Sequence, residues 1–193
     1  VTQPSHLLPV STYVGIAQNF FFSKIINNDI STALEEGLIP VIMEICPSYH
    51  LIFPRQKNLS HDNLSDLILK LQENDFDFSE IGLYADQMEN GALRFRPFEN
   101  SDDLYEIPPD LFRKLLRSLL KWNERNKNIY YFFIHMNSVP LHYIHTVGVL
   151  SQKLIIIESG DRTRDEEFIR EISPIIKNLP NSCAIVQERN DYE

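Results

Sequence analysis

Three residues in the last third of the 193-residue sequence have the types a hydrolytic site needs: His142, Glu158 and Gln187. An imidazole can act as a general base, and a carboxylate beside it can fix its tautomer and stabilise the imidazolium. A side-chain amide can donate to a developing oxyanion. A hairpin would bring the first two together. Segments 142–150 and 153–158 read as antiparallel strands around Ser151-Gln152, which sets His142 and Glu158 near the open ends. His145 is the fallback base, because a turn at Ser151-Gln152 places it opposite Glu158. On a strand, His142 and His145 point to opposite faces, so the pair is not expected to bind a metal, and no cofactor is expected. Each residue also has a plainer reading: a strand-end histidine, a solvated turn carboxylate and a surface amide.

The elements that must position these groups are read from periodicity and punctuation. Residues 1–20, with two prolines and mixed polarity, read as an irregular lead-in. Phe20 to Gly37 reads as a helix stopped by its glycine. Ile39 to Ile45 reads as a buried strand, with Tyr49–Phe53 pairing back across Cys46-Pro47-Ser48. Leu64, Leu67, Ile68 and Leu71 share a helical face, which predicts a helix over 60–73. Short strands are expected at 81–84 and 92–95, and Pro108-Pro109 opens a helix to about Trp122. Asn128 to Met136 and Lys153 to Ile157 read as strands. Thr163-x-x-Glu166 reads as a capping box for a helix to about Lys177, and Cys183 to Gln187 as a last strand. Helices early and a sheet late predict an α+β fold: a central mixed or antiparallel sheet flanked by helices, with a more helical N-terminal part. The expected division is a mostly helical region over 1–125 and a sheet region carrying the site over 126–193.

Composition bounds the partners. A net charge of −9 with scattered Lys and Arg argues against a nucleic-acid binder. No run of eighteen apolar residues is present, so no membrane span is expected. Two cysteines, Cys46 and Cys183, are too few for a disulfide framework or a closed zinc site, which points to a reducing compartment. Cys46 precedes Pro47 with His50 close behind, a weaker thiol–imidazole pair. Cys183 sits on a strand, where burial fits better than catalysis. No glycine pattern of the G-x-G-x-x-G or G-x-x-x-x-G-K type occurs.

The order strand, His, strand, Glu, helix, strand, Gln over about 128–193 resembles the CE-clan cysteine peptidases. These include SUMO- and ubiquitin-like proteases, the adenovirus protease and bacterial deubiquitinase effectors. Phe132-Phe-Ile-His-Met-Asn137 is similar to the family's strand and Asn loop, and His142-Tyr143 to its His-Trp. Ile157-Glu158-Ser159 is similar to its hydrophobic-Asp-Ser, and Gln187-x-x-Asn190 to its approach to the nucleophile. The resemblance implies a papain-like or ubiquitin-like-protease fold. It implies a cysteine seven residues after Gln187, just past Glu193, that cleaves ubiquitin or a ubiquitin-like modifier through an acyl-enzyme. His142, Glu158 and Gln187 would be base, orienter and oxyanion donor, in a cytoplasmic protein or an effector secreted into a host cell. The related YopJ-like acetyltransferases share the His, Glu, Cys order. A catalytically dead α+β interaction domain is the non-enzyme alternative. The oligomeric state is left open.

Overall fold

The computed structural model describes residues 9–16, 19–53, 62–73 and 83–188. The expected ends of two elements, residues 60–61 and 81–82, and the Asn190-Asp191 stretch lie outside them. The elements run β1 (Val10–Gly15), α1 (Asn19–Glu35), β2 (Ile39–Ile45), α2 (Leu64–Glu73), β3 (Ala85–Gln87) and β4 (Leu93–Phe95). There follow α3 (Asp103–Glu106), α4 (Pro109–Arg125), β5 (Tyr130–Asn137), α5 (Leu141–Gly148), β6 (Lys153–Ile157), α6 (Arg162–Lys177) and β7 (Ala184–Glu188). Among the described residues, no helix is long and apolar enough to cross a membrane.

The strands form one sheet of order β3-β4-β2-β5-β1-β6-β7. Every pairing is parallel except β3 with β4. Parallel strands need crossovers, and these helices cover both faces of the sheet. On one face α1 packs Phe22, Ile26 and Ile30 against Tyr13, Ile42, Phe133 and Ile155. On the other, α2, α4, α5 and α6 bury Leu67, Leu115, Tyr143, Ile144 and Ile172 against Val14, Met43, Ile134 and Ile156. Alternate residues of the central strands thus enter two different cores, which is why those strands read as nearly continuous apolar runs.

This is an α/β three-layer architecture, and it overturns the expected α+β protease fold. The sheet is parallel and doubly covered, not antiparallel with helices set apart. The segment read as an irregular lead-in contains β1, a buried strand between β5 and β6. The expected strand over 142–150 is the helix α5, which carries the chain from β5 to β6 over the far side of β1, so no hairpin joins His142 to Glu158. Tyr49–Phe53 does not pair with β2, and Ser48–His50 forms a 3-10 turn. Strands from 1–125 and 126–193 interleave, with β5 between β2 and β1.

Several local readings match. Gly37 takes φ 77° just after α1, and Leu38 N donates to Ala33 O at 2.9 Å, closing the helix as a left-handed glycine does. Pro109 opens α4. Asn123 then steers the chain into β5, its side-chain amide donating to Tyr130 O at 2.8 Å and its Oδ1 accepting from Tyr130 N at 3.0 Å.

Candidate functional site

In an open parallel sheet the ligand crevice lies beyond the C-terminal strand ends, where neighbouring strands send their helices to opposite faces. Here β1 leads to α1 on one face and β5 to α5 on the other. The C-terminal ends of β1 and β5 therefore flank the crevice. From the end of β1 the sequence reads Gly15-Ile-Ala-Gln-Asn-Phe20-Phe21-Phe22, without a lysine or arginine. Gly15 is required there: a Cβ would sit 2.3 Å from the carbonyl oxygen of Ile157 on β6. Phe22 is fully buried, with its ring edge-on to His135 at 4.5 Å between centroids. Phe20 is 63% exposed at the rim.

The exit from β5 is equally specific. Asn137 is buried, and Ser138 holds a positive φ of 56°, unusual for a residue with a side chain. Ser138 Oγ lies 3.0 Å from His50 Nε2 and donates to Asn137 Oδ1 at 3.1 Å. Its carbonyl accepts from the Tyr105 hydroxyl at 3.3 Å. Tyr49 packs on His50 at 4.6 Å. After β6, Asp165 accepts from Ser159 N at 2.7 Å, Ser159 Oγ at 2.8 Å and Gly160 N at 3.0 Å, fixing the loop that enters α6.

Beneath this edge, on the α1 face, lies a buried polar cluster that sequence reasoning missed. Glu44 of β2 is in register with His135 of β5, and Cys46 follows two residues along on the same face. Arg94 of β4 reaches over with Nε 2.8 Å and a terminal nitrogen 2.5 Å from Glu44 Oε2. Glu44 Oε1 accepts from Ile52 N at 2.6 Å and Phe53 N at 3.4 Å. Burial raises the Glu44 carboxyl, and the Arg94 charge with these N–H groups pulls it back. Burial pushes His135 down to about 3, assisted by the charge of His50, so the imidazole is neutral. Burial lifts the Cys46 thiol well above its ordinary range, with the Glu44 charge adding to it. Cys46 Sγ and Glu44 Oε1 both face the same ring nitrogen of His135, Nδ1, at 3.8 Å and 3.9 Å. A nucleophilic triad uses the two nitrogens in sequence, so this cluster is not one. The signal that could have found it was polar residues inside apolar strands, in Ile-Met-Glu44-Ile-Cys46 and Phe-Ile-His135-Met.

The sequence-predicted residues lie elsewhere. His142 is exposed in the first turn of α5, and His145 is one turn on and half-buried. Glu158 follows β6, its N–H donating to Glu188 O at 3.0 Å. Gln187 is exposed on the edge strand β7, in register with Ile156. His142 lies on a helix packed over one face of the sheet, whereas Glu158 lies past the end of β6, which β1 separates from β5. Cys46 meets His135 rather than His50, and Cys183 is buried just before β7.

No family model matches the chain, and no curated relative is found. Solved structures do match. A ParA family ATPase from Chlorobium tepidum superposes with a TM-score of 0.64 at 15% identity, over 98% of this chain and 76% of that one. Cobyrinic acid a,c-diamide synthase from Mycobacterium smegmatis, solved with ADP and magnesium, gives 0.58 at 11% identity over 93% and 74%. The kinase domain of the Escherichia coli tyrosine kinase ETK gives 0.58 at 10% identity over 98% and 71%. These likenesses contradict the cysteine-peptidase and acetyltransferase readings, along with the deubiquitinase role and the ubiquitin partner they implied. The roles assigned to His142, Glu158 and Gln187 rested on that family. The fold of this chain is that of the ParA-like P-loop ATPases.

Proposed function

We propose that this chain is a non-hydrolysing form of the ParA-like ATPase fold, which works through a protein-docking surface at the edge where such a fold holds nucleotide. The replacement of the phosphate cradle by aromatic residues carries this reading. A P-loop runs G-x-x-x-x-G-K-[ST] between a strand and its helix. Its glycines admit backbone N–H groups to the phosphates, and its lysine supplies charge. Laid from Gly15, the motif's second Gly, Lys and Ser/Thr fall on Phe20, Phe21 and Phe22. No other register helps, because Gly15 is the only glycine before Gly37 and Lys24 the only lysine. The carboxylate that would hold magnesium at the end of a central strand is also missing, since β5 carries no acidic residue and ends in Asn137.

What stands at the edge instead is aromatic and apolar. Phe20, Tyr49 and Tyr105 are 63%, 70% and 53% exposed, with Leu141 beside the Ser138 turn. Exposed aromatic residues along one edge suit a protein surface better than a polyphosphate. We also place the protein in a reducing compartment, where Cys46 and Cys183 remain thiols.

The test is a titration of the purified chain with ATP and magnesium, followed by calorimetry and thermal unfolding. No heat of binding, no shift in Tm and no phosphate release above background are expected. A true site at a hundred times its Kd would add about 2.7 kcal/mol, roughly 5–10 °C in Tm for a domain of this size. Saturable binding with such a shift would overturn the proposal and make the chain a nucleotide-binding domain.

A further inference from the structure

We propose that Glu44, Cys46 and His135 form a site for one zinc-type divalent ion, held between Glu44 Oε1, Cys46 Sγ and His135 Nδ1. The three ligand atoms lie within 4.8 Å of one another, and all three residues are buried. His135 Nδ1 stands 3.8 Å from Cys46 Sγ and 3.9 Å from Glu44 Oε1. Zinc bonds to sulfur, nitrogen and oxygen in a tetrahedral arrangement would place such atoms about 3.4–3.6 Å apart. Two of the three separations therefore need to close by only a few tenths of an ångström.

The imidazole supplies an independent reason. His135 is fully buried, and on its Nδ1 side it meets only the Cys46 thiol, in a long contact of 3.8 Å, and Glu44 Oε1 at 3.9 Å. Nitrogen and oxygen partners normally approach to about 2.7–3.2 Å. The space between thiol, carboxylate and imidazole is too wide for a hydrogen bond to the carboxylate and suits an ion bridging all three. The tautomer follows: Nε2 keeps the proton and the Nδ1 lone pair faces the site.

The surroundings hold the ligands in place. Glu44 Oε2 is fixed by Arg94, while Oε1 takes the N–H of Ile52 at 2.6 Å and a long contact from Phe53 N at 3.4 Å, which the ion would displace. The ring of Phe22 packs on the imidazole at 4.5 Å. Partners of this kind orient ligands around metals generally. On binding, the Cys46 S–H bond breaks, a sulfur–metal bond forms and the proton leaves to solvent. Ion, thiolate and carboxylate then sum to zero charge, so Arg94 faces a neutral centre. Thiolate and imidazole select zinc or cobalt over magnesium, and three protein ligands leave a fourth position for water.

The test uses the full chain, stripped with a chelator and titrated with Co²⁺ and then Zn²⁺. One equivalent of cobalt should produce a thiolate-to-cobalt charge-transfer absorption that zinc abolishes. Cys46→Ser should lose this band and Cys183→Ser should keep it. X-ray absorption of the zinc-loaded wild-type protein needs no variant, and should show one sulfur among nitrogen and oxygen neighbours. A wild-type protein without the cobalt band, a band that survives Cys46→Ser, or a zinc shell without sulfur would each overturn the site. These readouts need no nucleotide, so they stand or fall separately from the ATP titration.

Discussion

At the scale of single residues, the crevice is set by atoms that cannot move. Gly15 is the clearest case, because the atom its missing Cβ would strike is a backbone oxygen of the neighbouring strand. A flexible side chain could swing aside, but Ile157 O can yield only if β1 and β6 part. Gly15→Ala should therefore destabilise the fold by about 1–3 kcal/mol or more. Urea unfolding should show a lower midpoint at unchanged slope, and an unchanged midpoint would disprove the close approach. The glycine's position was visible in the sequence, but its reason was not, because Ile157 lies far along the chain. Glu44, Cys46 and His135 were partly legible as polar residues in apolar strands. Arg94 was not, since an arginine alternating with Arg96 in a polar third of the chain reads as solvated. His142 and His145 show how a side chain's direction depends on its element. As strand residues they diverge, and as helix residues three apart they share a face.

Elements were read well where one feature dominates and badly where β-branched residues form a helix. Strand β2 and the Gly37 stop of α1 emerge with their expected bounds, because an apolar run and a glycine leave little choice. Leu-His-Tyr-Ile-His-Thr-Val-Gly reads as strand by composition. It folds as α5 because Tyr143, Ile144 and Val147 fall on one helical face against the core, and tertiary burial outweighs local propensity. Strand β1 was hidden by Ser11 and Thr12, whose hydroxyls are satisfied by Tyr131 at 2.8 Å and Ser151 at 2.6 Å, partners distant in sequence. The start of α6 separates two rules directly. The sequence suggests a box on Thr163, whereas the observed cap is Asp161, whose side chain accepts from Thr163 N at 3.1 Å and Arg164 N at 3.3 Å. Asp161→Ala should cost about 0.5–2 kcal/mol and Thr163→Ala much less. Thermal unfolding of the two variants decides between them, and equal losses would restore the box.

At the scale of the whole molecule, topology could not be read from segments, because neighbours in this sheet are not neighbours in sequence. Strand β1 pairs with β5 and β6, each more than a hundred residues away, and that pairing makes the fold α/β. The same burial gives the molecule a predictable response to alkali. Tyr13 sits on the α1 side, its hydroxyl donating to Asp29 at 2.6 Å, and Tyr143 sits on the opposite side, its hydroxyl donating to Leu104 O at 2.8 Å. Burial raises the phenols of Tyr13, Tyr131 and Tyr143, and Asp29 raises that of Tyr13 further. A phenol whose value is raised by folding stabilises the fold in its neutral form. That contribution is complete below the unfolded value of about 10 and is lost as the pH climbs through and beyond it. Urea midpoints should thus hold near pH 8 and fall steeply above about pH 10. Tyr13→Phe removes the most strongly shifted group, so it should lower the midpoint at pH 8, through the lost Asp29 bond, and flatten the fall above pH 10. If the variant falls as steeply as the wild type, Tyr13 is not the group that alkali attacks, and the loss must come from the phenols of Tyr131 and Tyr143.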